Sequence, residues 1–146
     1  MNTIKTQATS TQATTQEIYE HVSVSSELTF PAAPFPRKYV HSVFNNLQDA
    51  VQAVLALLVA GYAADDIHVM TGGHFVEAVA RKQTLLSFLF SFDYDVYLEE
   101  ARRGRFILAV RPPSYERVNQ VRDLLAPYRA HLMKYVDTWT MTELLP

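Results

Sequence analysis

The chain has 146 residues, 49% of them hydrophobic and 19% charged, with a formal net charge of −2. That is a one-domain length with an ordinary globular composition and no global field to draw in nucleic acid or an anionic membrane. Cysteine is absent, which excludes a disulfide framework, thiolate metal sites and a cysteine nucleophile, and fits a reducing cytoplasm.

Residues 1–36 differ from the rest. Met1 to Gln16 repeats a Thr-Gln-Ala theme, has no apolar signal-peptide core and holds too little large apolar surface to offset the entropy of ordering. Glu17 to Phe30 carries scattered apolar residues (Ile18, Tyr19, Val22, Val24, Leu28, Phe30), enough for a short strand or helix against a partner. Pro31, Pro34 and Pro36 then interrupt regular structure. We read 1–36 as a disordered tail and Pro-rich linker, and 37–146 as the folded domain.

Lys38 to Phe44 is rich in β-formers and predicts a first strand. Asn45 or Asn46 could cap a helix, and a cap at Asn46 puts Asp49 in its first turn. Leu47, Ala50, Val51, Val54, Leu55 and Leu58 form the apolar face of that helix, and Gly61 stands at its C-terminal cap. Ile67 to Thr71 reads as a second strand ended by Gly72-Gly73. Phe75 to Phe92 reads as an irregular or helical excursion. Asp93 to Arg103 has Tyr94, Tyr97, Leu98 and Ala101 on one helical face, with Gly104 as the stop. Arg105 to Arg111, apolar at every central position, predicts a strand covered on both faces. Ser114 precedes a helix over Tyr115–Ala126, His131 to Val136 is the fourth strand, and Asp137 to Pro146, with Trp139, a closing tail.

This order predicts an α+β, ferredoxin-like βαββαβ sandwich with an apolar, partly helical excursion between strands two and three. Strands one and three are then central, and one face of the sheet is open to a partner.

Several segments resemble a known family. Phe44-Asn45-Asn46-Leu47-Gln48-Asp49-Ala50, Leu57 to Gly61 and Asp65-Asp66-Ile67-His68-Val69 resemble the start of the general stress protein 17M-like, or heat-induced stress protein, domain. Tyr97 to Gly104 resembles its helix and glycine, and Ala130-His131 with Asp137-Thr138-Trp139-Thr140 its closing segment. The likeness spans roughly 38–143. It implies a small bacterial protein associated with stress responses, and no catalytic residue set comes with it. The aromatic character of Phe75–Phe92 departs from the usual pattern.

Candidate chemistry is sparse. His41, His68 and His131 fall on predicted strands, and three imidazoles on one face could bind a divalent metal, but no ligand spacing supports it. Gly72, Gly73 and His74 form a candidate ligand loop, without a Walker or Rossmann pattern around it. Asp65-Asp66 and Asp93/Asp95 suit turn and helix starts better than general acid–base work. Arg102, Arg103, Arg105 and Arg111 cluster around strand three, which lacks the aromatic pattern of an RNA-binding sheet. The run from Leu85 to Phe92 is too short for the ~20 residues of a membrane span. Its Leu85, Phe88, Leu89, Phe90 and Phe92 offer a contact surface. The expectation is a non-enzymatic, cytoplasmic, stress-associated module without cofactor or metal, which self-associates or binds a protein through that segment. The alternative is a regulatory domain that senses a small molecule at a dimer junction.

Overall fold

The computed structural model describes residues 37–81, 91–137 and 140–146. In chain order these form β1 (Tyr39–Phe44), α1 (Leu47–Val59), β2 (Ile67–Met70), α2 (Gly72–Arg81), α3 (Ser91–Arg102), β3 (Phe106–Val110), α4 (Val118–Leu125), β4 (His131–Val136) and β5 (Met141–Leu145). Short 3-10 turns at Ala64–Asp66, Tyr115–Arg117 and Ala126–Tyr128 precede β2 and bracket α4. The strands make one sheet in the order β2-β3-β1-β4-β5, antiparallel at every pairing. The fold is therefore α+β with a five-stranded antiparallel sheet.

Local chemistry sets the ends of α1 as expected. The Asn46 side chain accepts a hydrogen bond from the Asp49 amide at 2.8 Å. At the other end the Tyr62 amide reaches the Leu57 carbonyl and the Gly61 amide the Leu58 carbonyl, a Schellman closure with Gly61 at φ +96°. The same closure ends α3: Arg105 donates to Glu100 and Gly104, at φ +81°, to Ala101. Only glycine takes that left-handed position without strain.

Alternation along the strands divides the core in two. Val40, Phe44, Ile67, Val69, Leu108, Val110, Met133 and Tyr135 point to the first face, where α1 and α4 cover them with Ala50, Ala53, Val54, Leu57, Val118, Val121 and Leu125. Val43, Met70, Ile107, Ala109 and Val136 point to the second face, where Phe75 and Val79 of α2 and Tyr97 and Ala101 of α3 pack. β3 is thus buried on both sides, as its unbroken apolar sequence requires.

Four expectations need correction. The second face is not left open, because α2 and α3 pack on it. Gly72-Gly73 does not end a strand in a turn: it opens α2, with the Thr71 hydroxyl accepting from the His74 amide at 3.2 Å. Asp137–Pro146 is not a tail, because Met141–Leu145 pairs with β4 as the outermost strand. The buried stripe of α1 runs through Ala50, Ala53, Val54 and Leu57, while Leu47, Val51, Leu55 and Leu58 stay half-buried. That helix is apolar around most of its circumference, so packing against β1 and β3 chose the stripe.

Gly72 also explains how α2 and α3 meet. A Cβ there would lie 2.1 Å from the Ala101 carbonyl oxygen and 3.0 Å from that of Arg105. Neither backbone atom can swing aside. Gly73, one residue on, has open space around it. Gly72→Ala should therefore cost about 1–3 kcal/mol in urea unfolding, as overpacking does. Gly73→Ala should be neutral or stabilising, by up to about 1 kcal/mol from helix propensity. Equal effects at the two positions would contradict the close approach.

Candidate functional site

The pairing register brings one unusual set of residues into line. His68 of β2 and His41 of β1 both lie opposite Ala109 of β3. His41 lies opposite Lys134 of β4, and Lys134 opposite Glu143 of β5. Directly paired residues share a face, so His68, Ala109, His41, Lys134 and Glu143 form one row across all five strands. It runs on the second face, between an apolar row holding Met70, Ile107 and Val43 and another holding Tyr39, Val136 and Met141.

The imidazoles in this row are deeply placed, His41 at 0% and His68 at 2% exposure. The Tyr39 ring is near both, its centroid 5.8 Å from that of His68 and 6.3 Å from that of His41. Ala109 contributes only a methyl group between the two histidine-bearing strands. Lys134 and Glu143 make a cross-strand pair of opposite charge toward the β5 edge. Burial holds the Tyr39 phenol above its ordinary pKa; nearby Arg111 pulls it down and Asp66 adds to the rise.

The third strand histidine does not join the row. His131 lies opposite Val43, where the β1–β4 register shifts, and its Nε2 is 3.7 Å from a Glu100 carboxylate oxygen. Glu100 also receives Arg105 at 3.3 Å and Arg103 at 3.5 Å, so part of the basic cluster serves to hold the end of α3. The same bulge places Leu132 at φ +48°, and its carbonyl accepts a hydrogen bond from the buried Tyr97 hydroxyl. On the opposite face Ser42 Oγ is buried without a hydrogen bond. Among the described residues no group of three His, Cys, Asp or Glu side chains is placed to hold a metal ion.

The remaining sequence candidates separate. Gly72 is packed against α3, while Gly73 and His74 are exposed at the start of α2. Leu85, Phe88, Leu89 and Phe90 lie outside the described residues, and Phe92 stands in the first turn of α3. Asp65 and Asp66 sit in the 3-10 turn before β2, where the Asp66 carbonyl accepts from the Arg111 amide at 2.8 Å. Tyr39, Ala109, Lys134 and Glu143 had no sequence signal as a site, since only the strand register aligns them.

The raised phenols give a pH expectation. Burial favours the neutral form of Tyr39, and likewise of Tyr62 and Tyr135. The unfolded chain ionises these groups first, so their stabilisation is complete below about pH 10 and is lost as pH rises through the folded values. Tyr39→Phe should flatten the fall of the urea midpoint between about pH 9 and 11. A variant with the parent's slope would show that burial of this phenol contributes nothing there.

No protein-family model, no curated protein and no solved structure matches the chain.

Proposed function

We propose that this chain is a non-enzymatic interaction module of ferredoxin-like plan with one added C-terminal strand, acting by self-association in a cytoplasmic stress setting. The plan is supported by the order β2-β3-β1-β4 within the sheet. β1 and β2 run parallel with β3 inserted between them, as a split βαβ unit requires. The stress setting rests on the family likeness of the quoted residues alone.

One observation carries the assembly reading. The described helices already cover both faces of the sheet, yet α3 still turns Val96 to solvent at 38% exposure. Val96 is four residues beyond Phe92 in the sequence. An apolar residue left at the surface so near the Leu85–Phe92 run in sequence supports a contact surface there.

Light scattering tests it. The full chain should have the mass of a discrete oligomer, and the pair Phe88→Ser with Phe90→Ser should reduce it to 16.6 kDa. An unchanged mass would remove the aromatic segment as the contact.

The polar row favours a second reading, a regulatory domain that takes a small molecule beside Tyr39, His41 and His68. A nucleotide or amino acid that prefers the folded form should raise the melting temperature, and the rise should be lost in His41→Phe. No shift at millimolar ligand would count against it.

A further inference from the structure

Among the described helices, α1 alone has an outer face without charge. α2 exposes Glu77, α3 exposes Asp95, Glu99 and Arg102, and α4 exposes Asp123. Residues 45–64 hold a single charged side chain, Asp49. Its carboxylate is engaged at the N-terminal cap, where it accepts from the Asn46 side-chain amide at 3.1 Å.

At ~100° per residue, Gln48, Gln52 and Val59 fall within about 40° of one another, opposite the buried stripe of Ala50, Ala53, Val54 and Leu57. Both glutamines are exposed, and Val59 is 90% exposed. Half-buried Val51 and Leu55 adjoin them, so Val51, Leu55 and Val59 make a ridge at four-residue spacing. A helix apolar on both its inner and outer sides ordinarily has a second cover.

Charge and shape choose the occupant. The chain carries a net charge of −2, so two copies repel where charged faces meet. Across a two-fold axis a patch meets itself, and an uncharged patch does so without opposing like charges. A glutamine amide both donates and accepts, so Gln48 and Gln52 can bond glutamines of an identical face. Ridges at four-residue spacing also interdigitate with their own kind, at a crossing of about −50°.

We propose that the outer face of α1, formed by Gln48, Val51, Gln52, Leu55 and Val59, is a contact between two copies of this chain, with the two-fold axis passing near Gln52. It goes beyond the aromatic contact proposed above, because α1 lies on the first face of the sheet and α3 on the second. The contact is small. A 13-residue helix is about 20 Å long and about 10 Å wide, well below the ~800 Å² per partner of a standard interface. Alone it holds two copies only transiently at micromolar concentration.

The chain has no cysteine, so one introduced thiol reports proximity. Cysteines whose Cα atoms lie more than ~7 Å apart are not bridged. In the full chain, Gln52→Cys should form a disulfide-linked dimer at least about tenfold faster than Thr142→Cys, exposed on β5, at equal protein concentration. Adding Val59→Lys should slow the Gln52→Cys reaction about tenfold and leave the urea midpoint in place, since that position is exposed in the monomer. With Phe88→Ser and Phe90→Ser present, Gln52→Cys should still link ahead of Thr142→Cys at about 1 mM protein, which separates this contact from the aromatic one. Equal rates for Gln52→Cys and Thr142→Cys would overturn the proposal. So would an unchanged rate on adding Val59→Lys, or loss of the Gln52→Cys advantage in the Phe88→Ser, Phe90→Ser chain at that concentration.

Discussion

β3 has no side it can show to water. Phe106, Ile107, Leu108, Ala109 and Val110 alternate between the two faces of the sheet, and all but Phe106 are fully buried. Each large side chain buried there contributes roughly 1.5–3 kcal/mol, which requires a cover on each face. α1 and α4 supply one layer. The stretch between β2 and β3 supplies the other, through Phe75 and Tyr97, whose rings meet at 6.4 Å. The excursion that looked surplus to a two-layer fold is in part the material of a third layer. Gly72 is the local condition for it, because α2 and α3 can meet this closely only where a backbone carries no Cβ.

Against that apolar demand, the buried imidazoles of His41 and His68 stand out, while Lys134 in the same row is half-buried and Glu143 exposed. Polar side chains in a buried position cost free energy unless they are hydrogen-bonded, so cores rarely keep them without use. The two imidazoles share one row, with Tyr39 and Val43 flanking His41 along β1 and Met70 beside His68 along β2 on the same face. The neighbouring β1–β4 bulge is a second departure: Leu132 in a left-handed conformation, held by Tyr97 from α3. Both lie on the second face. The first face, lined by α1 and α4, has Ser42 as its one buried polar side chain on β1. The buried imidazoles and the left-handed Leu132 thus share one side of the sheet.

Much of the secondary structure was legible in the residues. Asn46, Gly61 and Gly104 act through bonds to their own neighbours, so the ends of α1 and α3 follow from local chemistry. The unbroken apolar run of Phe106–Val110 marks a strand covered on both faces. β5 was harder to see, since Met-Thr-Glu-Leu-Leu alternates poorly and is a strand because β4 offers it an edge. Gly72-Gly73 reads as a stop in isolation. As a helix start it depends on the Thr71 cap and on α3 lying beside it.

The candidate site lies on the far side of that divide. His41 and His68 are visible as strand histidines, but their common face follows only from Ala109 standing opposite both. His131 is excluded by a bulge that no periodicity announces. By itself the sequence determined both ends of α1 and the glycine stop of α3, which strand lies deepest, and that no cysteine chemistry is possible, because these depend on each residue and its near neighbours. Tertiary structure alone decided the strand order, the covering of the second face and the polar row, because these depend on pairings between residues up to about a hundred positions apart, whose register no local interaction sets.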